Sequence, residues 1–304
     1  MENFKVGIIG AGHIARKMAH TLRDMEGVEP YAVASRNFGN AESFAREWGF
    51  TRAYGSYEEL ADDPEVQLIY IATPHSFHFE HARMCIGKGK PVLLEKAFTA
   101  NAREAELLIR LSEEKQVFLT EAIWTRYMPF SATLRELVDN GTIGRVMMLT
   151  ANIGYPIAEK ERIGRPDLCG GALLDIGVYP INFAMMLFGT EITGITSACV
   201  KGETGVDLQN SITFVYKNHR MAVLQMTAFC ANDRQVISGD NGYIIVDNIN
   251  NPQQAVVYSI NHEEVARYTC PPQITGFEYQ VQASIDAIRE GKIETPYMPH
   301  SETL

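Results

Sequence analysis

A glycine-rich turn near the amino terminus constrains this chain more than any other feature. The apolar segment Lys5–Ile9 leads directly into Gly10-Ala11-Gly12-His13-Ile14-Ala15, where a helical pattern begins. In such a turn the first glycine permits a tight bend, the second lets backbone N–H groups approach a pyrophosphate, and a small third residue allows close packing of helix and strand. The alternative is a glycine turn that binds nothing. We expect a dinucleotide site whose cofactor contacts include Gly10, Gly12, His13 and Ile14.

Alternating strand and helix patterns predict the fold class of the amino-terminal part. Strands that are apolar throughout are buried on both faces, as in the parallel sheet of a doubly wound α/β fold. We therefore predict a Rossmann domain over residues 1–122 that binds NAD(P). Its predicted strands are 5–10, 31–35, 68–72, 92–95 and 117–121, and its predicted helices are 14–24, 41–48, 79–87 and 102–114.

Longer and partly alternating strands follow Trp124 and predict a second domain over residues 123–304. We expect an α+β domain with a large, mostly antiparallel sheet that is open on one face, used for substrate binding and oligomerisation. Ser301 has the character of a cap that opens a helix, and the chain ends before such a helix continues. Either the chain is truncated or its last helix lies outside this sequence. The predicted strands are 145–155, 193–201, 211–216, 220–229, 235–238 and 242–246, and the predicted helices are 172–187 and 277–290.

Charge and composition limit the classes of partner that we expect this protein to bind. A formal net charge of -10 argues against a nucleic-acid or anionic-membrane partner, because both favour clustered Lys and Arg. No apolar run is long enough to predict a membrane span, and no secretory signal is evident. The five cysteines are scattered and include no Cys-x-x-Cys pair. We expect a cytoplasmic protein with a small-molecule substrate.

The end of the second strand predicts which dinucleotide binds. An NAD enzyme usually has Asp or Glu there to accept hydrogen bonds from the ribose 2′-hydroxyl, and this chain has Ser35 and Arg36 instead. Serine and arginine can bind a 2′-phosphate that a carboxylate would repel. The prediction is NADP, with NAD as the alternative. In the competing interpretation Arg36 is a solvated residue at a helix cap.

A histidine-rich segment follows the fourth predicted strand. His75, His78 and His81 recur at spacings of three, which raises the alternatives of a metal site or a plain helix surface. The nearby strand end favours contacts to the nicotinamide side of the cofactor, and we expect no metal. The predicted contacts here are Thr73, Pro74, His75 and His78.

Two further motifs predict reactive groups. Glu95 and Lys96 stand at the carboxyl edge of the parallel sheet, where ligands bind in open α/β folds. Asp175 and Tyr179 are four residues apart, so a helix would place them on one face. Tyrosine could exchange a hydroxyl proton while lysine tunes it. Alternatively, Tyr179 is a core aromatic residue and Asp175 a cap. Trp124, Arg126, Tyr155 and Phe277 are candidates for a substrate pocket, although such side chains are more often core.

Taken in order along the chain, four motifs resemble the glucose–fructose oxidoreductase / inositol dehydrogenase / MocA family. The Trp124 and Tyr179 motifs are similar to those of its dimeric dihydrodiol dehydrogenase and NADP-dependent D-xylose dehydrogenase branch. The resemblance implies Lys96 and Tyr179 as the catalytic pair, Asp175 as a substrate-orienting residue, dimers or higher oligomers formed through the open sheet, and sugars, cyclic polyols or diols as substrates. The motifs are Gly10-x-Gly12-x-Ile14-Ala15, Glu95-Lys96, Glu121-Ala122-Ile123-Trp124-Thr125-Arg126-Tyr127 and Gly170-Gly171-x-Leu173-x-Asp175-Ile176-Gly177-x-Tyr179.

Two positions depart from the family pattern. Ala97 follows Lys96 where the family usually has proline, and the bond before that proline is commonly cis. A cis bond before alanine costs about 3–4 kcal/mol, so we expect a trans bond and a slightly re-aimed Lys96. Cys169 stands where the family has a further glycine.

The sequence thus predicts an NADP-dependent dehydrogenase acting on a sugar or vicinal diol. The alternatives are another polyol dehydrogenase or reductase of the same family, or a non-catalytic dinucleotide-sensing regulator.

Overall fold

The computed structural model describes residues 3–304, which form two compact units. The first unit comprises the chain up to Tyr127 together with Gln273–Leu304, and the second comprises Met128–Pro272. The carboxyl-terminal segment therefore packs with the amino-terminal part of the chain, whereas the sequence predicted one continuous domain over 123–304.

The first unit is built on a six-stranded sheet in which all neighbouring strands are parallel. Its order, β3-β2-β1-β4-β5-β6, is that of a doubly wound dinucleotide-binding fold, which confirms the predicted Rossmann architecture. The strands are β1 (Phe4–Ile9), β2 (Val28–Ala34), β3 (Arg52–Tyr54), β4 (Leu68–Ile71), β5 (Val92–Glu95) and β6 (Leu119–Ala122).

The helices of the whole chain are numbered in sequence order. Those of the first unit are α1 to α5, α8 and α9, and those of the second are α6 and α7. Their bounds are α1 (His13–Asp24), α2 (Phe38–Trp48), α3 (Tyr57–Asp62), α4 (His78–Gly87), α5 (Ala102–Lys115), α6 (Pro129–Asp139), α7 (Val178–Phe188), α8 (Glu278–Arg289) and α9 (His300–Thr303).

Burial explains why the central strands were predictable. Every residue of β4 and β5 is buried, because helices cover both faces of the sheet. The short β3 and α3 were missed, since β3 is partly exposed and α3 is brief. A signal for α3 is nevertheless present: Ser56 and Glu59 form a capping box in which each side chain binds the other's backbone N–H.

The second unit is built on an eight-stranded sheet with the order β14-β13-β12-β11-β7-β10-β9-β8. Its strands pair antiparallel except β7 and β10, which run parallel, so the predicted mostly antiparallel sheet is confirmed. The strands are β7 (Val146–Gly154), β8 (Ile192–Lys201), β9 (Asp207–Tyr216), β10 (Met221–Thr227), β11 (Arg234–Gly239), β12 (Gly242–Asp247), β13 (Gln254–Ser259) and β14 (Glu264–Thr269).

The two faces of this sheet differ in their surroundings. Helix α7 and the turn before it pack on β7 and β10. On the other face the cross-strand neighbours Met148 (45% exposed), Met221 (41% exposed) and Val215 (39% exposed) face solvent, and the edge strand β8 is exposed over most of its length. Within the described unit the sheet therefore has an open apolar surface, as expected.

The predicted helix 172–187 has two parts in the structure. Leu173–Gly177 forms a π-helical turn, and α7 begins only at Val178. The wider stretch Pro166–Phe188 is long enough to pass as a membrane span, and its most apolar window of 18 residues has a mean hydropathy of 1.5. However, 67% of its most apolar window is buried inside the protein, as in the core helix of a globular domain.

The carboxyl terminus corrects one prediction. Helix α9 begins at His300 after an extended Pro299, so Ser301 lies inside the helix and does not cap it. The buried His300 ring fixes this start, because its Nε2 lies 2.8 Å from the carbonyl oxygen of Leu119 in β6.

Candidate active site

The turn between β1 and α1 has the shape that a pyrophosphate requires. Gly10 has a φ of +103°, and a Cβ there would lie 2.9 Å from the carbonyl oxygen of Ala72. At Gly12 an added Cβ would meet nothing within 4 Å, and among the described residues no side chain caps the helix that follows. Ala15 is fully buried against the sheet. The helix that begins with His13 and Ile14 thus has no side-chain cap from residues 3–304 on its first N–H groups, which suits the binding of a phosphate.

Arg36 extends from the carboxyl end of β2 into solvent. Helix α2 is capped by Asn37, whose side chain accepts a hydrogen bond from the backbone N–H of Asn40 at 3.2 Å. Arg36 is therefore not the cap, and its guanidinium lies 5.8 Å from the centre of the Phe77 ring. The half-buried Ser35 precedes it. A cation and a hydroxyl at this strand end suit a 2′-phosphate.

The segment after β4 is a short 3-10 turn, His75–Phe77, that leads into α4. Thr73 is buried and its Oγ1 lies 3.0 Å from Nδ1 of His81, whereas Pro74 is exposed. The rings of His75 and His78 meet edge to face at 5.6 Å. Residues 3–304 contain no group of three His, Cys, Asp or Glu side chains arranged to hold a metal ion.

His78 is fully buried and holds backbone in place. Its Nδ1 lies 2.8 Å from the carbonyl oxygen of Ala97, and its Nε2 lies 2.8 Å from that of Thr73. Burial lowers the pKa of His78 to about 4, so the ring is neutral near pH 7 and donates to one of the two carbonyls. The side chain thus ties the segment after Lys96 to the turn after β4.

The Glu95–Lys96 pair stands at the carboxyl end of β5. Glu95 is buried, accepts a short hydrogen bond from the Tyr70 hydroxyl, and accepts the backbone N–H of Lys96 at 3.2 Å. Burial raises the pKa of Glu95, and the nearby Lys96 and Lys17 oppose that rise. Glu95 is therefore buried at the end of β5, and the next residue, Lys96, is half-buried at this edge of the sheet.

The Lys96–Ala97 peptide bond is cis, so the predicted trans bond was wrong. The intrinsic preference of an isolated bond does not decide the conformation here. Ala97 is 3% exposed and its carbonyl is held by His78, and Phe98 beside it is also buried. These tertiary contacts hold the backbone of this segment in place, although the sequence has alanine where the family usually has proline.

Trp124 and Phe277 form an aromatic pair inside the first unit. Both are buried, with ring centres 5.0 Å apart, and the Nζ of Lys17 lies 4.0 Å from each centre. Desolvation lowers the pKa of Lys17 to about 8, although Glu95 and Glu278 oppose the fall. Sequence reasoning missed Lys17, since a lysine in the second turn of α1 gives no sign of burial.

Arg126 is engaged by the carboxyl-terminal segment. It is 7% exposed, its Nε donates to the carbonyl oxygen of Tyr297 at 3.2 Å, and its guanidinium forms a short ion pair with Glu302. Nearby Glu121 is buried, and its pKa rises to about 7. These contacts place Arg126, like Trp124 and Phe277, in the packing of the first unit.

Asp175 lies in the π-helical turn of the second unit, and Arg162 fixes its carboxylate. The two guanidinium nitrogens of Arg162 donate to Oδ1 at 2.6 Å and to Oδ2 at 3.0 Å. The Asp175 side chain is 8% exposed and that of Arg162 is 50% exposed. The loop that carries Arg162 has no regular pattern, so the sequence did not predict this partner.

Tyr179 and Tyr155 lie at the ends of elements in the second unit. Tyr179 is the second residue of α7 and is 6% exposed. Tyr155 follows β7, is half-buried, and its hydroxyl lies 3.4 Å from Nδ2 of Asn250. Before the π turn, Cys169 has a φ of +55°, a conformation that glycine adopts most readily. The backbone at Cys169 therefore has a left-handed conformation although the residue there is not glycine.

Comparisons with known proteins agree with this fold and these motifs. Residues 4–123 match the family model "Oxidoreductase family, NAD-binding Rossmann fold", and residues 131–245 match "GFO/IDH/MocA C-terminal domain". The chain is similar to the trans-1,2-dihydrobenzene-1,2-diol dehydrogenases of Mus musculus, with 34% identity, and Homo sapiens, with 32% identity. Each match spans 98% of this chain and 92% of the relative.

Solved structures share the fold. A 3-ketoreductase mutant from Actinomadura kijaniata, in complex with TDP-benzene and NADP, superposes with a TM-score of 0.90 at 21% identity, over 99% of this chain and 94% of its own. The aldose–aldose oxidoreductase from Caulobacter crescentus, complexed with glycerol, has a TM-score of 0.89 at 20% identity, over 99% and 93%.

The parallel sheet, the phosphate turn and the open-faced second sheet define a two-unit, NAD(P)-binding oxidoreductase. The chain belongs to the GFO/IDH/MocA oxidoreductase family, as its motifs predicted.

Proposed function

We propose that this protein is an NADP-dependent dehydrogenase that oxidises a secondary or anomeric hydroxyl of a sugar or vicinal diol. The observation that carries the proposal is the presence of Lys96, Asp175 and Tyr179 in one chain with the phosphate turn. A dinucleotide-sensing regulator would need the turn alone. The phosphate turn and Lys96 belong to the first unit, and Asp175 and Tyr179 belong to the second.

Each reactive residue has one task in this proposal. The nicotinamide ring, when bound, accepts at C4 the hydride that leaves the substrate carbon. Lys96 stabilises the phenolate form of Tyr179 electrostatically, and this phenolate takes the hydroxyl proton to become a phenol while the substrate C–O bond becomes a carbonyl. Asp175, held by Arg162, accepts a hydrogen bond from a second substrate hydroxyl. In the reverse direction the same residues would reduce a ketone or lactone.

The cofactor preference rests on Ser35 and Arg36. Arg36 is exposed, is not the cap of α2, and stands at the strand end where the adenosine ribose binds in this fold. NADP is therefore the proposed cofactor, with NAD as the alternative. Gly10, Gly12, His13 and Ile14 would surround the pyrophosphate, and Thr73, Pro74 and His75 would line the nicotinamide side. His78 and Glu95 are buried and would fix the backbone around Lys96.

The substrate class follows the relatives. Relatives that match 98% of this chain are named for trans-1,2-dihydrobenzene-1,2-diol, and proteins that share the fold include a 3-ketoreductase and a levoglucosan dehydrogenase. Tyr155 is a candidate substrate contact, because it is half-buried at the end of β7. The packing of Trp124, Arg126 and Phe277 favours the alternative that these three hold the first unit together.

We also propose that the open face of the eight-stranded sheet pairs with a second copy of the chain. Met148, Met221 and Val215 are cross-strand neighbours that expose apolar area on this face, and Val200 adds to it from β8. A charge introduced by Val215→Lys would then dissociate the oligomer in analytical ultracentrifugation. The cytoplasmic location stays a proposal, in keeping with five cysteines that form no disulfide with one another within residues 3–304.

A substrate panel tests the proposed function. NADP⁺ and NAD⁺ are each supplied with trans-1,2-dihydrobenzene-1,2-diol, D-xylose and myo-inositol, and reduced cofactor is followed by absorbance. We expect turnover of the diol or the pentose and a lower KM for NADP⁺ than for NAD⁺. A protein that binds NADPH by fluorescence titration but turns over none of the three would instead be the regulator.

A further inference from the structure

A carboxylate from strand β9 binds the start of the π-helical turn that carries Asp175. Oδ2 of Asp207, the first residue of β9, accepts the backbone N–H of Leu173 at 2.7 Å. Leu173 is the first residue of the turn, and the first N–H groups of a helix lack partners within it. The same oxygen accepts Nδ2 of Asn210 at 2.6 Å, and Asn210 is 8% exposed.

One glycine of the reactive motif, Gly171, makes room for this carboxylate. Gly171 has a φ of +113°, and a Cβ there would lie 2.3 Å from Oδ1 of Asp207. At Gly170 a Cβ would lie 2.4 Å from the carbonyl oxygen of Ile163. Larger residues at either position would therefore displace the chain just before the turn. The requirement for glycine at Gly171 therefore follows from the approach of Asp207, whereas that at Gly170 follows from the carbonyl of Ile163.

The turn continues directly into the reactive residues. Leu173–Gly177 is followed without a break by α7, whose second residue is Tyr179. A displacement at Leu173 is therefore carried through the turn to both Asp175 and Tyr179. We propose that Asp207 is a positioning residue, which fixes the start of the reactive turn and through it the hydroxyl of Tyr179. This inference rests on the proposed function of Tyr179.

The test compares Asp207→Ala with a variant at a similar site in the same unit. Asp240 accepts the backbone N–H of Arg145 at 2.8 Å and lies against Gly144, whose φ is +73° and whose added Cβ would meet Oδ1 of Asp240. Asp240→Ala thus removes the same kind of contact from a turn between β11 and β12. Activity is measured with NADP⁺ and trans-1,2-dihydrobenzene-1,2-diol, and the Tm of each variant is measured in parallel.

A misplacement of about 1 Å at a reacting group can cost about 100-fold in rate, so we expect Asp207→Ala to lower kcat by about 10- to 100-fold. The KM for NADP⁺ should stay unchanged, since Asp207 lies in the second unit. Asp240→Ala should lower Tm to a similar extent and leave kcat within about twofold, as a distant site would. Asp207→Asn can keep an oxygen toward Leu173 and Asn210, so it should restore most of kcat.

Gly171→Ala attacks the same contact from the other side and should reproduce the loss of kcat if Asp207→Ala fails to fold. The inference is overturned if both Asp207→Ala and Gly171→Ala fold and keep wild-type kcat, or if Asp240→Ala loses as much. Tyr179→Phe separates the two claims. If Tyr179→Phe is inactive while Asp207→Ala is normal, only the positioning role fails. If Tyr179→Phe is fully active, the proposed function itself fails.

Discussion

The guanidinium of Arg162 binds both carboxylate oxygens of Asp175, at 2.6 and 3.0 Å, from a loop that precedes the reactive turn. A bidentate pair fixes the plane of the carboxylate as well as its position. Asp175 is 8% exposed in its side chain, so water does little to screen it. The proposed substrate-orienting residue thus has its own orientation set by a residue that no motif contains.

Arg162→Ala should therefore weaken substrate orientation. The arginine side chain is half-exposed, so we expect a loss of about 1 kcal/mol, which is about a fivefold fall in kcat/KM. Arg165→Ala is the control, because Arg165 pairs with the exposed Glu161 and Asp167 on the same loop. Equal kcat/KM values in the two variants would show that the Asp175 pair has no role in orientation.

Arg36→Ala should raise the KM for NADP⁺ and leave that for NAD⁺ nearly unchanged. The lost charge-assisted hydrogen bonds to a 2′-phosphate are worth about 2 kcal/mol, or about 30-fold in KM. Arg46→Ala removes an exposed arginine from α2 and should change neither value. An unchanged KM for NADP⁺ in Arg36→Ala would contradict the proposed cofactor preference.

Lys17→Met should change how stability depends on pH. Burial lowers the pKa of Lys17 to about 8 in the folded protein, so charging it there costs free energy below that pH. The cost disappears as pH rises from about 8 toward the unfolded value of 10.5. The free energy of unfolding of the wild type, relative to Lys17→Met, should therefore be higher at about pH 9.5 than at about pH 7.

Denaturant titrations of both proteins at the two pH values measure this difference. Lys115→Met, which replaces an exposed lysine at the end of α5, serves as the control and should parallel the wild type. The free energies of unfolding of the wild type and Lys17→Met could instead differ by the same amount at both pH values. That result would mean that Lys17 does not titrate between the aromatic rings.

Glu121→Gln should produce the opposite pH dependence. The folded pKa of Glu121 is about 7, above its ordinary 4.5, so its contribution to stability is full below pH 4.5 and is lost as pH rises through 7. The wild type should therefore lose stability relative to Glu121→Gln between about pH 5 and about pH 8. Thermal unfolding of both proteins, with the exposed Glu113→Gln as control, measures the change. If the stability of the wild type relative to Glu121→Gln rises over this pH range, the proposed burial of Glu121 as a neutral acid is contradicted.

Local patterns were sufficient for much of this protein. Gly10 and Gly12 predicted the phosphate turn because their spacing directly after an apolar strand is itself the signal. The buried β4 and β5 predicted a parallel sheet because every side chain in them is enclosed. Four motifs together indicated the family, and the partly alternating strands after Trp124 predicted the open second sheet.

Contacts between distant parts of the chain were beyond such patterns. The cis bond after Lys96 sits in a segment held by His78, which lies well before it in the sequence. The burial of Lys17 depends on Trp124 and Phe277, and the return of residues 273–304 to the first unit depends on packing alone. Arg162 and Asp207 were missed for the same reason: each meets the reactive turn only after folding.

The central claim, a dehydrogenase that uses Tyr179 and Lys96, is tested most directly by the initial rate of NADPH formation from trans-1,2-dihydrobenzene-1,2-diol. Tyr179→Phe and Lys96→Met are compared with the wild type and with Tyr258→Phe, a stacked tyrosine elsewhere in the second unit. General acid–base groups contribute about 100- to 10,000-fold, so both variants should lose at least about 100-fold in kcat while still binding NADP⁺. Turnover near that of the wild type in both variants would contradict the account.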